Sequence, residues 1–115
     1  MSCNYYIETR DVDMVFDLGE RVIPIPEKRI FECHLCQTFG TQKPLFESHS
    51  YKTFEELKKI LLNKSYEFKI VDEYGVEITP ENFIEYMEKD NKEGSVRFGM
   101  PIDEYGFQFY DKDFC

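Results

Sequence analysis

Cys33-His34-Leu35-Cys36 is the stretch whose residue types most directly suggest chemistry. A Cys-x-x-Cys pair joined by two more Cys or His ligands would hold zinc tetrahedrally. Cys3, Cys115, His34 and His49 are on offer for that role. Zinc modules usually bring their second pair as another close-spaced unit, whereas here Cys3 and Cys115 stand far out in the sequence. In a regular strand Cys33 and Leu35 would face one side and His34 and Cys36 the other. That separation favours ordinary thiols, and no strand-to-helix turn follows the pair as a redox motif requires. The expectation is no cofactor and no metal, with Cys33, Cys36, His34 and His49 kept as the candidates should one bind.

Nucleophilic catalysis has little to work with. The chain has two histidines, and no Ser or Cys sits in an active-site elbow. Phe39-Gly40-Thr41 carries one glycine and no P-loop pattern, so nothing cradles a phosphate in that manner. No catalytic residues are assigned, and the chain reads as a binder in preference to an enzyme. An enzyme acting on a nucleotide or nucleic acid, with His34 or His49 as general base, is kept as an alternative. A small zinc-stabilised accessory or assembly protein is another.

Charge is the sharper signal. The net charge is −9 and unevenly spread: residues 1–65 hold ten acids against nine bases, residues 66–115 thirteen against five. A half that acidic repels phosphates and membrane surfaces and attracts basic protein surfaces. Glu81, Glu85 and Glu88 follow an i, i+4, i+7 spacing that lines one face of a helix. Asp72, Glu73, Asp90 and Glu93 could extend that face into a patch. Such an array can stand in for a row of phosphates, and its contacts should weaken with salt. An ordinary solvated helix face is the plainer reading. Aromatic anchors often dominate interfaces, so Tyr74 and Tyr105, with Asp103 and Glu104 beside the latter, complete the candidate binding residues.

These residues need a frame. At 115 residues, with 42% hydrophobic and 17% aromatic content, the chain fits a single domain over 1–115 with one core rich in rings. The tyrosines are expected to keep their hydroxyls near the surface. No run approaches the roughly 20 apolar residues of a membrane helix. Met-Ser-Cys-Asn-Tyr-Tyr lacks the basic-then-apolar order of a signal peptide, so a cytoplasmic protein with reduced thiols is expected.

The predicted strands are Tyr5–Thr9, Arg29–Cys36, Pro44–His49, Tyr66–Val71, Val76–Ile78 and Phe107–Tyr110. Asp11 to Glu20 reads as a loop or short helical turn. Val22-Ile23-Pro24-Ile25-Pro26 can only lie at an edge or cross in extended form, since its prolines donate no ladder hydrogen bond. Thr53-Phe54-Glu55-Glu56 is a capping box, and Phe54, Leu57, Ile60 and Leu61 make one helical face. Thr79-Pro80-Glu81 starts a second helix that buries Phe83, Ile84 and Met87 and ends before Gly94. Asp-Glu-Tyr-Gly occurs twice, at 72–75 and 103–106, as a turn signal whose glycines suit a left-handed backbone. The fold expected is α+β: a small antiparallel sheet with two helices packed on one face.

Five short stretches, taken together, carry a resemblance: Cys3-Asn4-Tyr5-Tyr6-Ile7, Glu32-Cys33-His34-Leu35, Tyr51 to Leu57, Asp72 to Ile78, and Tyr105 to Phe109 followed by Asp113-Phe114. They make the chain resemble a group of small bacteriophage and prophage proteins of uncharacterised role. Where members of that group carry Gly-Lys-Ser-Ser and a Trp, this chain reads Cys36-Gln37-Thr38-Phe39-Gly40, without Trp. The resemblance implies a phage origin and a place in the host cytoplasm, and no reaction. Small acidic phage proteins without catalytic motifs often inhibit host defence. The function expected is therefore anti-defence: inhibition of a host nucleic-acid-handling immune complex, such as a CRISPR–Cas effector, through an acidic surface that imitates DNA. The partner would be that host protein or ribonucleoprotein complex, with no nucleic acid or membrane bound directly.

Overall fold

The computed structural model describes residues 2–97 and 99–110. Ten elements follow one another: β1 (Ser2–Thr9), α1 (Val12–Leu18), β2 (Ile23–Ile25), β3 (Ile30–Phe39), β4 (Leu45–Glu47), α2 (Phe54–Leu61), β5 (Phe68–Asp72), β6 (Glu77–Ile78), α3 (Pro80–Glu93) and β7 (Gln108–Tyr110). The strands form one sheet in the order β6-β5-β1-β3-β4-β7, with β2 also paired to β3. The α+β class expected from the pattern is the one observed. Two details differ: α1 is a third helix, and β7 lies parallel to β4, so the sheet is mixed.

Local sequence explains the helix starts. Thr53 Oγ1 accepts from the Glu56 amide at 3.2 Å while Glu56 Oε1 accepts from the Thr53 amide at 3.1 Å, completing the capping box. Thr79 caps α3 by accepting from the Asn82 amide at 3.2 Å, with Pro80 in the first turn. Asp11 does the same for α1, accepting from the Asp13 and Met14 amides. That helix escapes a periodicity reading because it buries only Met14 and Leu18, while Val12 and Phe16 are exposed.

The long strand β3 organises the sheet. One edge pairs with β1 along its whole length. The other is shared between β2, at Ile30–Glu32, and β4, at Cys36 and Gln37. Pro24 sits in β2, a three-residue strand that pairs only with β3, as a residue without a donor must. Against β1, Tyr5 pairs with Cys36 and Tyr6 with His34, so Leu35 is an extra residue in a β-bulge. The bulge overturns the expected alternation: Cys33, Leu35 and Cys36 all enter the hydrophobic core, and His34 alone of the four does not.

All three helices send side chains into that core, with Phe46, Phe54, Phe107 and Phe109 grouped as rings. Phe54 and Phe107 stack 4.0 Å apart and 7° from parallel. Tyr51 departs from expectation: it is fully buried and its hydroxyl has no hydrogen-bond partner among the described residues. Both Asp-Glu-Tyr-Gly segments are turns of one design. Asp72 Oδ1 accepts from the Tyr74 and Val76 amides, each at 2.9 Å, and Asp103 Oδ1 from those of Tyr105 and Phe107, each at 2.9 Å. Gly75 and Gly106 take the positive φ values, 84° and 88°, that the turns require.

Candidate functional site

The two histidines come together on one buried carboxylate. His34 of β3 and Glu47 of β4 occupy the sheet face away from the main core, and the short loop after β4 returns His49 to the same place. His34 Nδ1 lies 2.9 Å from Glu47 Oε1, and its Nε2 lies 2.9 Å from Asn4 Oδ1. His49 Nε2 donates to the His34 carbonyl at 2.7 Å. That carbonyl stands on the stretch of β3 between its pairings with β2 and β4, where no strand continues the ladder. The imidazole takes the place of the missing partner.

Glu47 is only 2% exposed. A buried carboxylate needs opposite charge and donors around it. Arg21, from the α1–β2 loop, brings Nη1 to 3.4 Å from Glu47 Oε2, and His49 Nε2 lies 3.6 Å from the same oxygen. Burial holds the His49 ring below the ordinary histidine value, although the His34 carbonyl and Glu47 favour its protonated form. A neutral ring that donates through Nε2 leaves Nδ1 as a bare acceptor. Among the described residues, neither His49 Nδ1 nor Arg21 Nη1 has a hydrogen-bond partner. Both residues stand in the wall of a cavity of about 520 Å³, bounded also by Gly19, Glu20, Ser50 and Lys52.

The cysteines take no part. Cys33 and Cys36 are buried on the other side of the sheet from His34, and burial pushes both thiols up. Cys115 lies outside the described residues. Among the described residues, no group of three or more His, Cys, Asp or Glu is placed to hold a metal ion.

The acidic candidates divide into separate places. Glu81, Glu85 and Glu88 all lie on the exposed face of α3. Glu88 pairs with Lys58 at 3.2 Å and Glu81 with Lys64 at 4.0 Å, so α2 and the residues just after it supply counter-charges to two of the three. Glu85 has no ion pair among the described residues. Asp72, Glu73 and Tyr74 sit at the β5–β6 end of the sheet, whereas Asp103, Glu104 and Tyr105 sit before β7 at the other end. Three strands, β1, β3 and β4, lie between β5 and β7, so the two turns do not form one surface. Both aspartates are occupied in holding their turns. Glu73 Oε1 accepts from the Asn4 amide at 2.7 Å. Tyr74 and Tyr105 are 75% and 54% exposed, open enough to serve as anchors.

The β5–β6 turn and α3 each reach the start of β1. Cys3 of β1 feels the charges of Asp72 and Glu73, and its thiol is raised by burial first and by those carboxylates after it. Tyr86 of α3, beside Cys3, is raised by burial and then by Asp90. Glu73 thus reaches β1 at the Asn4 amide, and Tyr86 reaches the same strand at Tyr5, with ring centroids 6.4 Å apart.

Glu47, Arg21 and Asn4 were not legible as site residues. The one available hint was an acid, Glu47, in the midst of an otherwise buried strand pattern. Comparison with family models, with curated proteins and with solved structures gave no match. No helix among the described residues is long and apolar enough to cross a membrane.

Proposed function

We propose that the protein works by binding a basic surface of another macromolecule, as an inhibitor of a host nucleic-acid-handling defence complex of the CRISPR–Cas effector kind. The reading joins the resemblance to small phage proteins with a net charge of −9, of which residues 66–115 carry all but one unit. The observation that carries it is the lopsided charge, presented at the surface by exposed Glu73 on the β5–β6 turn and by the exposed glutamates of α3. Tyr74 stands exposed on the same turn and supplies an aromatic anchor that carboxylates alone lack. The Glu81, Glu85 and Glu88 face is the second part of that surface, reduced by its pairs with Lys58 and Lys64. Carboxylates so placed compete with phosphates for a Lys- and Arg-lined groove.

The test is capture from host lysate at low and high salt, followed by a cleavage assay on the captured complex. Two variants accompany it: one with Glu81, Glu85 and Glu88 changed to Gln, one with Glu73→Gln and Asp90→Asn. Capture of a nuclease complex that loses activity on binding, falls with salt, and weakens most in the second variant agrees with the reading. Capture indifferent to salt and to both variants discards the acidic surface. Failure to inhibit any captured complex discards the function.

A further inference from the structure

Helix α1 has two apolar faces, and the fold uses only one of them. At about 3.6 residues per turn, Met14 and Leu18 lie together on the face that enters the core. Val12 and Phe16 lie together on the opposite face, 70% and 85% exposed. Phe16 is more exposed than any other large hydrophobic residue among those described. A single apolar side chain on a surface asks for no explanation. Two of them side by side on one turn of helix form a projecting ridge, and neither belongs to the core.

A helix this short does not persist by itself, and other parts of the chain hold it at both ends. At its start Asp11 Oδ1 accepts from the Asp13 and Met14 amides, while Asp11 Oδ2 accepts from the Glu67 amide at 3.1 Å. At its end the Ser50 amide donates to the Leu18 carbonyl at 3.0 Å, and the Ser50 hydroxyl donates to the Asp17 carbonyl. Gly19 closes that contact with a φ of 108°, and a side chain there would meet the Ser50 amide nitrogen at 3.3 Å. The ridge is therefore presented on a fixed frame, and a partner need not order it.

Charge decides what covers the ridge. Asp13 and Asp17 follow one another along its side, and Glu20 stands just beyond the helix, all three exposed. None of the three forms an ion pair among the described residues, whereas Glu81 and Glu88 of α3 have lysine partners. A second copy of this chain would set the same acids against them, and an anionic membrane surface would repel them. An apolar ridge with an unneutralised acidic flank suits a protein cleft with apolar walls and Lys or Arg on its rim. We propose that the Val12 and Phe16 face of α1 docks into such a cleft on a partner protein. Phe16 is the seated anchor, and Asp13, Asp17 and Glu20 meet the basic rim. This surface lies outside the acidic half of the chain, so failure of either reading leaves the other standing.

The test uses the full chain with Phe16 replaced by photoreactive benzoylphenylalanine, irradiated in a lysate of the cells that naturally make it. The cross-linked protein is identified by mass spectrometry and purified, and its affinity for the unsubstituted chain is measured by calorimetry. The expected cross-link lies in a peptide that carries apolar residues together with Lys or Arg. Phe16→Ser should then weaken binding about thirtyfold, as loss of an aromatic anchor does. Asp13→Asn combined with Asp17→Asn should weaken it about fivefold and reduce its dependence on salt. Leu62→Ser, at an exposed position just after α2, should leave binding unchanged. The urea midpoint of Phe16→Ser should match that of the unsubstituted chain, because so exposed a ring adds nothing to the core. A lowered midpoint overturns the proposal, as does the absence of a discrete cross-link, or one only to a second copy of the chain or to lipid. So does a captured protein that binds Phe16→Ser as tightly as the unsubstituted chain, or that loses Leu62→Ser equally.

Discussion

The Asp103 carboxylate joins the second Asp-Glu-Tyr-Gly turn to the start of α2. Its Oδ1 serves the Tyr105 and Phe107 amides, and its Oδ2 accepts from the Phe54 amide at 3.0 Å. Phe54 is the first residue of α2, where amide groups have no partner within the helix. Asp72 builds the equivalent turn at the other end of the sheet, and its side-chain hydrogen bonds among the described residues stay within that turn. Asp103→Ala should therefore destabilise the protein more than Asp72→Ala, by about 1 kcal/mol, the usual worth of a capping contact. Urea unfolding of the two variants measures the difference. Equal losses would mean that the contact to Phe54 contributes nothing.

Glu47 is the second point of vulnerability. It faces His34, His49 and Arg21 while almost wholly buried. Glu47→Gln keeps the shape and removes the charge, which leaves Arg21 without its counter-ion and forces at most one of the two oxygens' roles to be met. Breaking a buried pair by deleting one partner costs about 3 kcal/mol. Glu47→Gln leaves Arg21, which is one third exposed and still meets water, whereas Arg21→Gln leaves the Glu47 carboxylate buried without its cation, so Arg21→Gln should cost more than Glu47→Gln. Thermal melts of both variants rank them.

His49 gives the protein a pH dependence of known sign. Its folded-state value is lowered by burial, so between that value and the ordinary histidine value of 6.5 the unfolded chain binds more protons than the folded one. Stability from this group is complete above 6.5 and is lost progressively as pH falls through the folded value. Urea midpoints measured from pH 7.5 down to pH 5 should fall, and His49→Gln, which can still donate to the His34 carbonyl, should flatten the slope in that window. A slope unchanged by the substitution would assign the proton uptake elsewhere.

What could be read from the sequence was what neighbours in the chain decide. Thr53 with Glu56, Thr79 with Pro80, the prolines of the β2 region and both Asp-Glu-Tyr-Gly turns each act within a few residues, and each does locally what its residue types imply. The features that were missed depend on residues far apart. The Leu35 bulge exists only in the register of β3 against β1, and it moves Cys36 into the core against an alternation that looked secure. The parallel pairing of β7 with β4 joins residues 108–110 to 45–47. Likewise His34, Glu47, His49, Arg21 and Asn4 come from five separate elements and loops. Helix α1 lies between these cases: Asp11 is a recognisable cap, but exposed Val12 and Phe16 conceal the buried pair Met14 and Leu18.

Gly94 follows from a close approach and not from a turn. It ends α3 with an ordinary extended backbone, φ −81° and ψ 157°, so conformation alone would admit any residue. A Cβ at this place would meet the Lys43 amide nitrogen at 2.6 Å and the Asp90 carbonyl oxygen at 2.8 Å, both backbone atoms. The neighbouring contacts fix them: the Gly94 amide donates to that same Asp90 carbonyl, and the Lys43 amide donates to the Ser95 carbonyl at 2.8 Å. Gly94→Ala must push the end of α3 off the segment before β4, at about 2 kcal/mol, the range for overpacking against fixed neighbours. Gly40→Ala offers the contrast, because its φ is 54° and nothing lies within 4 Å of the added carbon. That variant meets only the left-handed backbone penalty, about 1 kcal/mol. Denaturant unfolding should place Gly94→Ala below Gly40→Ala, and the reverse order would mean that the end of α3 yields easily.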